Sequence, residues 1–325
     1  MNKISVIISI YKYQKYGVLK TVLTSLVNQK NVPEIIISEQ GYRTDCTIQK
    51  MVKSYNCRFI LSSPDCFNGK GFFNPGRVRN IGASISSGDI LYFSDADICF
   101  IDKNYFEYLE KLYSSDINQN WYHPMMYRLS ENNVASFCKN YQLNQTIQFP
   151  DPKYCLIDFD SKSKLIPSQK GEFQAIVNHQ PHMSYVSDYK TNPTTDFDYR
   201  RIEKYSWKPE FHYGGVACTR RDFFKVGGYC EKFLNWGMED SDFQWKLSCI
   251  SLLKTIINIR KRQIIHFEHR SRCKNSIYIR NRKIYEKRLG LGINKVIEKD
   301  LLKNTSNFHN RYINKNYINL YRCYE

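Results

Sequence analysis

Ile90-Leu91-Tyr92-Phe93-Ser94-Asp95-Ala96-Asp97 is the stretch that decides the fold of this chain. Four apolar residues in a row read as a strand buried on both faces, as in a parallel sheet. Two carboxylates one residue apart follow at its carboxyl end. Mg²⁺ and Mn²⁺ favour such hard oxygen ligands, especially when phosphate oxygens complete the shell. Open α/β sheets bind their ligands beyond the carboxyl ends of the strands. The stretch therefore reads as a metal–diphosphate site. An isolated Asp-x-Asp is more often a surface turn, so the surrounding sequence has to decide.

On the N-terminal side the decision favours a sheet. Ile4 to Ile10 is an apolar, β-branched run, a buried parallel strand. Val18, Leu19, Val22, Leu23, Leu26 and Val27 form a helical stripe between Gly17 and Gln29. Glu34-Ile35-Ile36-Ile37-Ser38 is a second strand, closing on Glu39. A helix over Thr47 to Tyr55 and a strand over Arg58 to Leu61 follow. A Gly/Asn/Pro-rich loop from Pro64 to Gly76 leads to a helix over Arg77 to Ser86, stopped by Ser87-Gly88. Strands alternating with helices at this spacing imply βαβ units.

Beyond Asp97 the spacing predicts a helix over Asp102 to Tyr113. From Ser114 to about Glu210 the periodicity weakens, and this polar segment is expected to hold loops, a few short strands and one helix. Short helices over Arg221 to Gly228 and Ser241 to Leu253, and a strand over Arg262 to Phe267, restore the pattern. Helical stretches around Ile279–Leu289 and Asn294–Lys303 end the chain. The expected organisation is one α/β domain over 1–275, divided into a nucleotide-binding half (1–100), a variable insertion (101–211) and an acceptor-side half (212–275). A basic helical extension, 276–325, completes it.

Composition narrows the class. With 325 residues, 42% of them hydrophobic, the chain can bury a sizeable core. A formal charge of +17 should draw it to polyanions: nucleic acid, anionic lipid, acidic saccharides or diphosphates. The positive charge is dense in Arg260-Lys261-Arg262, Arg270-Ser271-Arg272 and Arg280-Asn281-Arg282-Lys283. The alternatives there are a solvated surface and a membrane-surface patch. The 11 cysteines are odd in number and contain no CxxC pair, which argues against a disulfide framework or a zinc module and suits a reducing cytosol. The run after Met1 is too short for a signal peptide, and no stretch approaches the ~20 apolar residues of a transmembrane helix.

A second acidic pair lies in Asn235-Trp236-Gly237-Met238-Glu239-Asp240. Acidic residues at a helix start gain from the helix dipole, but an indole wall for a sugar ring beside a carboxylate base is the functional reading. A third element is Ile264-Ile265-His266-Phe267-Glu268-His269. Either imidazole can supply a metal ligand after a strand.

With these residues assembled, the chain resembles the GT-A-fold inverting glycosyltransferases of the family-2 type. Arg79-Asn80-x-Gly82 and Gly88 through Asp97 carry that likeness. Gly214-Gly215, Phe223 to Gly228 and Asn235 to Asp240 are similar to the galactosyltransferase and chondroitin-polymerase-like group. The resemblance implies a Rossmann-like, mostly parallel sheet flanked by helices. It also implies roles. Asp97, with His266 or His269, would hold Mn²⁺ or Mg²⁺. Asp95 would face the ribose or sugar, Glu39 the nucleobase and ribose, and Arg79 the diphosphate or donor sugar. Asp240 would be the base on the acceptor hydroxyl, and Glu239 would hold a substrate hydroxyl. Trp236, Gly237, Gly214 and Gly215 would shape the sugar pocket. One departure is Ser9-Ile10-Tyr11-Lys12, where such families often carry a Pro and a small polar residue.

The expected reaction is transfer from a nucleotide-sugar, UDP-hexose or UDP-N-acetylhexosamine, to a saccharide or lipid-linked saccharide hydroxyl in bacterial surface polysaccharide synthesis. The expected location is the cytoplasm, at most peripheral on the inner face of the membrane. Rival readings are a nucleotidyltransferase, for which Asn68-Gly69-Lys70-Gly71 is a poorly placed phosphate loop, and a non-catalytic sugar-binding protein. Nucleic acid is not an expected partner, since no RNP-like, zinc-finger or helix-turn-helix pattern accompanies the charge.

Overall fold

The apolar run at the N-terminus forms β1 (Ile4–Tyr11), and the sheet grows outward from it. In the computed structural model, residues 3–62, 72–115, 120–129, 131–142, 157–159, 165–167, 207–211, 214–250, 253–257, 264–267, 275–304 and 318–319 are described. β1 lies parallel to β2 (Glu34–Gln40) on one side and to β4 (Ile90–Ser94) on the other; β2 in turn pairs in parallel with β3 (Arg58–Ser62). β1, β2 and β3 are each followed by a helix: α1 (Tyr16–Val27), α2 (Cys46–Ser54) and α3 (Pro75–Ile85) precede the next strand in turn. The apolar runs become strands because both faces are covered, so consecutive β-branched residues all find partners. Ile8 of β1, with Ile37 and Phe59, joins the core under α1 and α2. Ile7, Ile36, Leu91 and Phe93 point the other way and pack under α3. Full burial of each such side chain is worth about 1.5–3 kcal/mol.

After β4 the chain makes β5 (Ile98–Phe100) and α4 (Tyr105–Ser115), then β6 (Asn120–Leu129) and α5 (Glu131–Gln142). A hairpin of β7 (Ile157–Phe159) and β8 (Leu165–Pro167) stands outside the main sheet. β9 (Trp207–Phe211) and β10 (Val216–Thr219) return to it, followed by α6 (Arg220–Lys225), α7 (Glu239–Cys249), β11 (Leu253–Ile257) and β12 (Ile264–Phe267). Two helices, α8 (Asn275–Leu291) and α9 (Ile293–Asn304), and the short β13 (Ile318–Asn319) complete the described chain. The sheet order is β13-β3-β2-β1-β4-β10-β6-β12-β5, with β9 and β11 also paired to β6.

Two details position the site. β10 adds antiparallel to β4, with Val216 opposite Phe93, which places the 214–215 segment at the carboxyl end of β4. β6 changes neighbours along its length: Asn120–Pro124 run beside β11, and Met125–Leu129 run beside β9 and partly β12. Pro124, which has no N–H for a ladder, falls at the changeover. β12 in turn pairs antiparallel with β5, so His266 is opposite Ile98, one residue beyond Asp97.

The described helices match the periodic segments. One difference is at α7: the expected helix runs on to Leu253, whereas the helix ends at Cys249 and Leu253 opens β11, parallel to β6. The segment of weak periodicity contributes β6 to the middle of the sheet and α5 to the layer over α1. None of the helices among the described residues is long and apolar enough to cross a membrane.

Candidate active site

Arg79 organises the site. It lies on α3, whose start is set by Asn74, the side chain of which accepts from Arg77 N at 2.9 Å, and by Pro75 in the first turn. Asn80, its neighbour, donates to Tyr229 O at 2.9 Å and Glu231 Oε1 at 3.0 Å, which fastens α3 to the loop before α7. The Arg79 side chain is 4% exposed. Its Nη1 donates to Asp240 Oδ1 at 2.8 Å and its Nη2 to Asp95 Oδ1 at 3.1 Å, while Glu239 Oε1 lies 3.8 Å away. The face of the guanidinium sits 5.1 Å over the Tyr229 ring, itself stacked on Phe243. One strand end and one helix start, far apart in the chain, thus meet on one cation.

Three carboxylates share a single guanidinium. Burial, the largest influence, pushes Glu239 and Asp240 above the usual carboxylate range; Arg79 pulls both down, and the neighbouring acids push them up again. Burial works against the Arg79 charge, but Asp240, Asp95 and Glu239 hold it firmly protonated. Asp95 is the most open of the group, with a side chain 38% exposed. Gly214 packs directly against it: a Cβ there would stand 2.5 Å from Asp95 Oδ2 and 2.8 Å from Oδ1. Gly215 is buried beside it, at the start of β10.

Asp97 faces a different partner. Its Oδ1 lies 3.6 Å from His266 Nε2, and its backbone O accepts from Phe267 N at 3.0 Å. The turn that carries the acidic doublet is pinned by Tyr13, whose hydroxyl donates to Ala96 O at 3.0 Å. A carboxylate oxygen and an imidazole nitrogen converging at the carboxyl edge of a sheet suit a divalent ion that accepts mixed N and O donors, Mn²⁺ more readily than Mg²⁺. His269, the second candidate, lies outside the described residues. Among the described residues, Cys230, Asp242 and Asp300 also approach one another closely. The carboxylates of that group are taken up by Arg288 and Lys246, so it is an ion-pair cage.

The segment around Trp236 is a strained turn. Asn235, Gly237 and Met238 have φ of 57°, 102° and 75°. Left-handed backbone at a non-glycine residue costs roughly 1–2 kcal/mol. The turn delivers Glu239 and Asp240 to the first turn of α7, where the helix dipole favours negative charge. Asn235 N donates to Phe73 O at 2.6 Å and Phe73 N donates to Asn235 Oδ1 at 3.1 Å, which closes the turn onto the start of α3. Trp236 stands 58% exposed.

Glu39 is the penultimate residue of β2, on the other side of β1 and opposite Ile10, and is buried apart from the Arg79 cluster. Burial raises its pKa to about 7, opposed by the polar Thr44 side chain. Tyr11, in the next register position, stacks on Phe73 with ring centres 5.4 Å apart. The structure therefore joins Arg79, Asp95, Glu239 and Asp240, places Asp97 with His266, and leaves Glu39 along the same sheet edge. Tyr13, Phe73, Tyr229 and Asn80 are additional supports, of which only Asn80 lies within a motif.

Residues 5–161 match the glycosyl transferase family 2 profile, and residues 199–270 match the profile described as the N-terminal domain of galactosyltransferase. No curated protein sequence matches the chain. The solved structure of GalNAc-T7 with UDP, GalNAc and Mn²⁺ has a TM-score of 0.53 at 15% identity, covering 86% of this chain and 47% of that one. S. aureus TarS 1-349 in complex with UDP-GlcNAc has a TM-score of 0.48 at 14% identity, covering 83% of this chain and 59% of that one. The chain thus spans between about half and three fifths of these two solved chains. The chain is thus similar to the GT-A-fold glycosyltransferases, with a family-2 match over residues 5–161 and a galactosyltransferase match over residues 199–270.

Proposed function

We propose that the chain is an inverting glycosyltransferase that moves a sugar from a UDP-sugar, a hexose or N-acetylhexosamine, to a hydroxyl of a saccharide or lipid-linked saccharide. The observation that carries this is the Arg79 clamp, which holds Asp240 at 2.8 Å and Asp95 at 3.1 Å and so ties an acceptor-side acid to the donor-side doublet.

Asp240 is the base. Its Oδ1 is occupied by Arg79, which orients the carboxylate and leaves the other oxygen for the acceptor hydroxyl. That hydroxyl loses its proton to Asp240 as its oxygen bonds to the anomeric carbon and the bond to the nucleoside diphosphate breaks. A base of this kind contributes about 10²–10⁴-fold. Attack from the face opposite the leaving group inverts the anomeric centre. Glu239 holds a hydroxyl of donor or acceptor. Asp95, the most exposed acid of the cluster, faces the donor ribose or sugar. Glu39 lies where the nucleobase and ribose would rest along the edge of β1 and β2. Asp97 and His266 would hold Mn²⁺ or Mg²⁺, with His269 as a further ligand. Such an ion supplies charge neutralisation on the departing diphosphate. The UDP and Mn²⁺ in the GalNAc-T7 structure, on a shared fold, support this choice of donor.

Synthesis of a bacterial surface polysaccharide such as capsule, O-antigen or lipooligosaccharide fits the strongly basic chain, which suits an acceptor presented on an anionic membrane. The reaction itself is tested with UDP-galactose, UDP-N-acetylgalactosamine and UDP-N-acetylglucosamine. Release of UDP is expected with Mn²⁺, abolished by EDTA and restored by adding the metal back. Full turnover in chelator would remove the metal assignment. Pyrophosphate release from a nucleoside triphosphate would replace this function with a nucleotidyltransferase.

A further inference from the structure

The helix α8 follows the family-matched segments, yet it reaches back to the acceptor-side turn. Asn281 is fully buried. Its Nδ2 donates to three carbonyls of the turn, Leu234 O at 2.8 Å, Trp236 O at 3.2 Å and Gly237 O at 3.1 Å, and its Oδ1 accepts from Leu234 N at 3.4 Å. These are the carbonyls that a left-handed turn turns away from any ladder, and the two N–H donors of one side-chain amide are shared among the three. One helical turn earlier, Tyr278 lies beside Trp236, ring centres 5.9 Å apart and tilted by 31°. Gly237 lets them meet: a Cβ there would stand 2.9 Å from the Tyr278 ring. The helix is itself fixed from below. Arg288 grips Asp242 at 2.6 and 3.0 Å, and Asp300 at 2.6 and 3.1 Å.

We propose that α8 forms part of the acceptor site. Asn281 is a positioning residue for the Leu234–Gly237 turn, and Tyr278 extends the exposed indole of Trp236 into a two-ring wall. Two aromatic faces side by side span more than one pyranose, so the acceptor class is an oligosaccharide that lays the C–H faces of at least two linked sugars along the wall. This rests on the acceptor-side reading given above, and the experiment separates the two.

Saccharide binding is followed by tryptophan fluorescence with UDP and Mn²⁺ present. The probes are methyl β-galactoside, methyl β-glucoside and methyl β-N-acetylglucosaminide, against methyl β-lactoside, methyl β-cellobioside and methyl β-chitobioside. One disaccharide is expected to bind about tenfold more tightly than its monosaccharide, the value of one stacked ring. Tyr278→Ala should erase that preference and Tyr278→Phe should keep it. Asn281→Ala and Asn281→Asp, which both lose the amide donors, should weaken saccharide binding about tenfold or more. The dissociation constant for UDP should shift less than twofold in both, and melting temperatures report folding in parallel. The proposal is overturned if no disaccharide is preferred, if Tyr278→Ala keeps a preference, or if the Asn281 variants lose UDP and saccharide binding equally. Absence of UDP binding in the unmodified protein would instead sink the glycosyltransferase function itself.

Discussion

At Asp240 the sign of the pH effect follows from its surroundings. Burial lifts its pKa, and a base works only when deprotonated, so transfer should fall as pH drops through a value above that of an ordinary aspartate. Asp240→Asn should cut turnover by about 10²–10⁴ with donor binding retained; near-normal turnover would disqualify it as the base. Glu39 behaves differently. Its pKa of about 7 in the fold exceeds the ~4.3 of an unfolded chain, so its favourable contribution is complete below about pH 4 and is lost as pH rises through 7. Glu39→Gln cannot ionise. It should therefore melt about 3 °C above the unmodified protein at pH 8, and show no such gain at pH 4. Calorimetry at the two pH values checks this. Asp95, Asp97, Glu239 and Asp240 are legible in the sequence because acids beside apolar runs are conspicuous. Tyr229, Phe73 and Asn281 are not, because an ordinary side chain gains its role here only through a partner more than 40 residues away.

Among the elements, α7, α8 and α9 are interlocked by buried charge. Asp242, Lys246, Arg288 and Asp300 form a buried, charge-balanced quartet, with Lys246 Nζ on Asp300 Oδ2 at 2.8 Å and also donating to Gly228 O. Arg288→Met would leave two buried carboxylates with one cation. The expected loss is about 3–5 kcal/mol in urea unfolding; a change under 1 kcal/mol would mean the helices are held by apolar contacts alone. The parallel strands β1 to β4 are readable from their apolar runs, and the flanking helices from their stripes. β6 is not, because residues 121–124 are all buried and so show no alternation, and His123 and Pro124 break the apolar run. β11 is equally hidden: Leu253–Ile257 continues the apolar content of α7 without a break in composition.

For the whole molecule, the charge of +17 sets the long-range field. Flotation with anionic vesicles should recover the protein at low salt and release it above about 0.5 M NaCl, where screening shortens to a few ångströms. Equal flotation with neutral vesicles would exclude an electrostatic cause. The three-layer arrangement follows from alternating strands and helices. The union of the two acidic pairs does not, since no local pattern announces that the Arg79 guanidinium meets a carboxylate 161 positions later.

That separation also dictates when the protein can begin to work. While it is being synthesised, β1 to β4 can pair as soon as they leave the ribosome, but the guanidinium on α3 then has only Asp95 of its three acids. Its other two arrive with α7, and the amide that steadies their turn comes later still with α8. Completion of the Arg79 cluster is thus a late event in biosynthesis.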